Sequence, residues 1–139
     1  MRTSAHQSFR TLLAVIAAMI ALGVLAPLAS AGSQKPFHLV KVCEGTQCVV
    51  TASDFAAIPA GSVINYTGPD PDHLVPVLII KNGSTTGQCA IGSIFGTPST
   101  PGHCLLSAGT GRLTQFNLDA AVTFDGALWY WDGWYWFGN

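Results

Sequence analysis

Three groups of side chains in this chain could carry chemistry: the histidines His38, His73 and His103, the cysteines Cys43, Cys48, Cys89 and Cys104, and a C-terminal run of indoles, Trp129, Trp131, Trp134 and Trp136. No histidine belongs to a catalytic signature, for there is no G-x-S-x-G, no H-E-x-x-H and no phosphate loop. Asp70, Asp72 and His73 could together ligate Ca²⁺, but they lack the spacing of a calcium loop, and Pro69 and Pro71 account for the segment as a solvated turn. Neither metal nor cofactor is therefore expected. His103 adjoins Cys104, so a Cys/His hydrolase would require that thiol to be free. The glycine-rich SAGTGR at Ser107 to Arg112 enters a strand, whereas phosphate cradles open a helix, which argues against a nucleotide.

The state of the thiols depends on compartment. Arg2 and Arg10 stand in a start without acids, Thr11 to Ala26 carry no charge, and Pro27 precedes Ala29, Ser30 and Ala31, the small-x-small pattern a signal peptidase accepts. The expectation is a signal-peptide helix over 1–31, cleaved after Ala31, and a secreted product of residues 32–139 with no stable membrane anchor. The rival reading is an uncleaved anchor over Leu12 to Leu28, nearly the length of about 20 residues that a membrane crossing needs. In an oxidising compartment four cysteines read as two disulfides, with three connectivities possible. Cys43 and Cys48 flank a short turn, and Cys89 and Cys104 bracket a Gly/Pro-rich loop, which favours nearest-neighbour pairing. Such a bridge at Cys104 removes the hydrolase nucleophile.

The elements that position these groups belong to one domain, 32–139, in which Lys35, Lys41, Lys81 and Arg112 are scattered among seven acids. Without a basic cluster, nucleic acid is not an expected partner. Phe37 to Val42, the turn CEGTQC and Cys48 to Thr51 read as a stapled hairpin. Thr51 to Asp54 resemble a helix start that Pro59 cuts to barely one turn, a plug or connector. Val63 to Thr67 reads as a strand ended by the surface loop GPDPD, and Leu74 to Ile80 as a strand so apolar that both its faces should be covered. Asn82-Gly83 predicts a type I′ hairpin, and Gly92 to Gly102 a loop held at its base by the second disulfide. Phe116, Leu118, Ala120, Val122 and Phe124 alternate with more polar residues, and Asp125-Gly126 and Asp132-Gly133 predict two further turns, hence a three-stranded meander from Leu113 to Phe137.

With two-residue turns at both sites, all four tryptophans fall on one face, that of Val122 and Phe124. At about 25 cal/mol per Å² and roughly 150–250 Å² each, buried indoles would dominate the core. Three readings follow: a ladder that is core, a pocket or platform for a small apolar ligand or carbohydrate, and a face covered by a second subunit in a homo-oligomer.

From GQC at Gly87 onward, CLLSAGTGRLTQF, AVTF and LWYWDGWYWF together resemble the C-terminal half of small secreted bacterial proteins of unknown function, whose pattern is GTG, a Phe-bearing strand and W-x-WDG-x-Y-x-F. The GTG turn entering a strand is more loosely similar to β-barrels of the allene oxide cyclase and dirigent type. The resemblance implies a closed antiparallel barrel and transfers no catalytic residue. The expected fold is all-β, an antiparallel barrel of about 7–8 strands, with a β-sandwich as the alternative. The expected function is a secreted, non-enzymatic binding or structural module using Trp129, Trp131, Trp134 and Trp136. One alternative is a barrel isomerase or cyclase with His73, His103 or Asp119 directed into an apolar cavity. The other is a self-associating surface or matrix protein.

Overall fold

A computed structural model describes residues 32–91 and 101–138. The signal helix, the Ala31 cleavage site, the rival anchor and nearly all of the Gly92 to Gly102 loop lie outside the described residues. Among the described residues no helix is long and apolar enough to cross a membrane. Eight strands follow one another: β1 (Lys35–Glu44), β2 (Gln47–Ser53), β3 (Val63–Thr67), β4 (Val75–Ile80), β5 (Gly83–Ala90), β6 (Gly102–Ser107), β7 (Phe116–Phe124) and β8 (Trp129–Phe137). Each pairs antiparallel with the next, and β8 returns to β1 from Lys35↔Tyr135 to Lys41↔Trp129. That last ladder closes the sheet, so the fold is the barrel and not the sandwich. Closure removes the free edges that invite aggregation.

Period-2 alternation then decides what is inside. Phe37, Leu39 and Lys41 of β1, Ile64 and Tyr66 of β3, Leu78 and Ile80 of β4, Leu118, Ala120 and Val122 of β7 and Trp131 of β8 are buried. An eight-stranded barrel is just wide enough for such side chains to fill. Its outer face has no covering layer among the described residues: Val42, Val49 and Ile79 are each about 40% exposed and stand, with Val63, in one cross-strand row. The expectation that β4 is covered on both faces is thus corrected. Its outward β-branched residues suit the pleated backbone without needing burial.

Turn chemistry accounts for most of the connections and for three departures. Gly45 and Thr46 make the tight β1–β2 turn, with Gly45 at φ 59°. The β4–β5 turn is centred on Lys81-Asn82, one residue earlier than expected, because Ile80 pairs with Gly83 and neither central residue adopts positive φ. Its Asn82 carbonyl accepts the Arg112 N–H at 2.9 Å, and the Thr110 hydroxyl accepts the Ser84 N–H at 3.0 Å. The GTG segment therefore locks one hairpin to the next. Asp125-Gly126 begins a four-residue loop in which Asp125 Oδ1 accepts the N–H groups of Ala127 and Leu128. Asp132-Gly133 is no turn at all: β8 runs straight through it, and the meander from Leu113 to Phe137 has two strands instead of three. Gly133 is needed there for another reason, since a Cβ would collide with the Asp119 carbonyl of β7.

The two ends of the barrel differ. Between β2 and β3 the chain forms bends, not a helix; the Ser53 hydroxyl accepts the Phe55 N–H at 3.1 Å, and Phe55 and Ile58 turn into the barrel. Phe55 stacks on Phe116 with centroids 5.5 Å apart and lies 4.3 Å from the Tyr135 ring, which closes this end with an aromatic plug. At the other end Cys43–Cys48 and Cys89–Cys104 form the expected disulfides, each between directly opposed residues of adjacent strands. On a chain-entropy model the longer loop contributes about 3 kcal/mol and the shorter about 2. In urea unfolding of Cys-to-Ser pairs, loss of Cys89–Cys104 should lower stability more than loss of Cys43–Cys48; the reverse order would mean that the local geometry of the mouth, and not chain entropy, sets their value.

Candidate ligand-binding site

The disulfide-bound end opens into a cavity of about 230 Å³ lined by Lys41, Cys43, Gly45, Thr46, Cys48, Tyr66, Leu74, Ile91 and Trp129. Lys41 reaches the interior because it holds the same inward parity as Phe37 and Leu39 on β1, and its side chain is 1% exposed. Its Nζ donates a hydrogen bond to the Tyr66 hydroxyl on β3. The ammonium also lies 4.2 Å from the Trp131 ring centroid and 4.7 Å from that of Tyr66. Aromatic faces favour a cation by about 0.5–2 kcal/mol, far less than desolvation of an ammonium costs. Burial accordingly lowers the Lys41 pKa well below its ordinary 10.5.

Burial has the opposite effect on the phenol, pushing the Tyr66 pKa up from 10.0, opposed by the nearby Trp131 N–H. That N–H approaches the phenol without hydrogen-bond geometry, so Trp131 Nε1 is a buried donor with no partner. Among the described residues Lys41 has no carboxylate partner and Tyr66 is the only other titratable group lining the cavity, both cysteines being disulfide-bonded. The mouth thus combines apolar walls with a desolvated amine and a phenol at its inner end, and the unpartnered indole N–H of Trp131 is buried beside that phenol, behind the cavity wall.

The four tryptophans divide between the two faces. Trp129 and Trp131 share the inner face of β8: Trp129 lines the mouth and stacks on Phe124 at 4.6 Å, and Trp131 is fully buried beneath it. Trp134 and Trp136 face outward, Trp134 being 53% exposed, because the uninterrupted strand puts residues 131 and 134 on opposite sides. Trp134 borders a shallow groove with Pro36, His38, Asp54 and Asp132.

The three described histidines all lie outside the barrel, and each bonds an aspartate. His38 Nδ1 is 2.6 Å from Asp132, His73 Nδ1 is 2.8 Å from Asp70, and His103 Nε2 is 2.5 Å from Asp119. The hydrogen bond to Asp70 raises the His73 pKa and holds the Asp70 carboxyl below its usual range. His73 and His103 line a groove of about 320 Å³ on the outside of the barrel with Leu74, Val75 and Leu105, so that of His73, His103 and Asp119, the groups expected to point into an apolar cavity for an isomerase, none enters the barrel interior. Lys41 and Tyr66 do, and the signal that could have found Lys41 is the alternation Phe37, Leu39, Lys41, Cys43. Among the described residues no cluster of His, Cys, Asp and Glu could hold a metal ion. No protein-family model matches this chain, and no significant match to a curated protein or to a solved structure was found.

Proposed function

We propose that this protein is a non-enzymatic binding module, secreted after cleavage at Ala31, whose barrel mouth takes a small and mainly apolar ligand. The observation that carries the reading is the asymmetry of the barrel: Phe55 and Ile58 plug one end, while the other opens into the cavity walled by Leu74, Ile91, Trp129 and the Cys43–Cys48 bridge. At about 230 Å³ the cavity is smaller than the roughly 300–1,000 Å³ of sites for drug-sized molecules, which limits the ligand to a few fused or linked apolar groups. Titration with naphthalene should quench Trp129 emission with one-site behaviour, and Leu74→Arg, which puts a charge at the rim, should weaken binding at least tenfold with the fold intact by circular dichroism. Unchanged binding by that variant would move the ligand elsewhere.

The groove beside Trp134 supports a second reading, carbohydrate binding on the outer face. A half-exposed indole next to Asp54, Asp132 and His38 offers a sugar both a stacking surface and hydrogen-bonding groups. Shielding of Trp134 from acrylamide by a glycan, lost in Trp134→Ala, is the result this reading requires; a glycan panel without effect removes it.

A further inference from the structure

We propose that the inner end of the mouth is a carboxylate seat, so that the ligand is a small apolar molecule bearing a single carboxylate, bound head-first with the anion between Lys41, Tyr66 and Trp131. The inference rests on the mouth being the ligand site and goes beyond it by naming the head group.

The argument is one of donors without acceptors. Lys41 Nζ offers three N–H donors and has one protein acceptor, the Tyr66 oxygen. Tyr66 has its own O–H to give, and the buried Trp131 Nε1–H has no partner. Buried polar groups in native proteins are almost always satisfied, and an unmatched one calls for a further partner, a water, an ion or a ligand group. What is missing here is an acceptor, and beside an ammonium with no carboxylate partner the acceptor that balances the charge is an anion. One cation calls for a monoanion: a phosphate dianion would bring a second negative charge into a cavity that supplies no second positive one. A carboxylate presents two oxygens with about four lone-pair sites, enough for the two remaining Lys41 hydrogens, the Tyr66 O–H and the Trp131 N–H. The apolar wall of Leu74, Ile91 and Trp129 then faces the remainder of the ligand.

Binding in this mode is coupled to protons. The described groups facing Lys41 are Tyr66 from β3, Trp129 and Trp131 from β8 and the disulfide-bonded Cys48 from β2, so among the described residues no other charge competes. Where the empty site holds a neutral amine, the bound carboxylate restores the ammonium with one proton drawn from solvent. Affinity for the anion therefore falls as the pH rises.

The test compares hexanoate, 1-hexanol and hexanal, equal in chain length, by calorimetry on the purified protein at pH 6.5 and pH 9 in buffers of different ionisation enthalpy. The expected result is at least tenfold tighter binding of hexanoate than of hexanol at pH 6.5, a smaller preference at pH 9, and net proton uptake with hexanoate alone. Lys41→Met should erase the preference while hexanol still binds, and Tyr66→Phe should reduce it several-fold. Equal affinity for hexanoate and hexanol in the wild-type protein overturns the carboxylate seat and leaves the apolar site standing. Failure of all three to bind overturns both. Hexanal trapped on Lys41 by borohydride, without any preference for hexanoate, also overturns it, and assigns Lys41 to reversible imine formation instead. The wild-type measurements decide the matter even if a variant does not fold.

Discussion

Trp131→Ala is expected to cost about 3–5 kcal/mol of stability, and Trp134→Ala, on the same strand, less than about 0.5 kcal/mol. The first indole is fully buried among the inner residues of β1, β3 and β7, where truncation leaves a void that the closed barrel cannot collapse to fill. It also removes the aromatic face above Lys41. The second indole is 53% exposed on the outer surface and loses little on truncation. Urea unfolding of the two variants decides the issue. Similar losses from both would contradict the assignment of the two residues to opposite faces of β8.

Lys41→Met should raise stability by about 1–3 kcal/mol near neutral pH, because an apolar side chain of similar length replaces a desolvated amine that has no counter-ion. The pH dependence supplies an independent sign. Burial lowers the folded pKa of Lys41 below the ordinary 10.5, so between those two values the unfolded chain binds a proton that the folded protein does not. Stability then rises with pH through that window, by up to about 1.4 kcal/mol per pH unit, and the penalty is fully present below the folded pKa. The Met variant should lack this slope. Above pH 10 the raised pKa of Tyr66 acts in the opposite sense, since the unfolded phenol ionises first, so the comparison belongs below that pH. Parallel stability curves for wild type and variant between pH 6 and 10 would show that Lys41 titrates as an exposed lysine does. A residue whose removal stabilises the fold is one retained for something other than stability, which is the sense in which this prediction and the carboxylate seat stand together.

The parts of the fold legible in the sequence are those specified by short-range chemistry. CEGTQC places a tight turn between two cysteines, so the Cys43–Cys48 pairing follows from chain geometry that a hairpin imposes. Val63–Thr67 is bounded by PAGS and GPDPD, and its ends fall where those turn residues put them. The alternation from Phe116 to Phe124 reads directly as a half-buried strand, and the inner residues are the apolar ones. The segment before Pro59 reads in the sequence as a one-turn helix serving as plug or connector; the structure makes it a plug, and the Ser53 and Phe55 hydrogen bonds make it a set of bends.

Asp-Gly at 132–133 shows why the rest was not. By local preference the dipeptide is a turn, and the same two residues can also sit in a strand when tertiary contacts favour it. Here β7 lies so close that only glycine fits at 133, and Asp132 meets His38 across the β1–β8 ladder. That decision reverses the parity of everything after it, moving Trp134 and Trp136 from the expected inner face to the outer one. What the sequence by itself determined is the all-β character of the domain, most of its strands and the hairpin disulfide Cys43–Cys48, because those depend on neighbours within a few residues. Only the tertiary structure decided which tryptophans are inside and that Lys41, one of a few scattered cations, is buried beneath the mouth. Both depend on how β8 closes against β1, a contact between residues nearly a hundred positions apart in the chain.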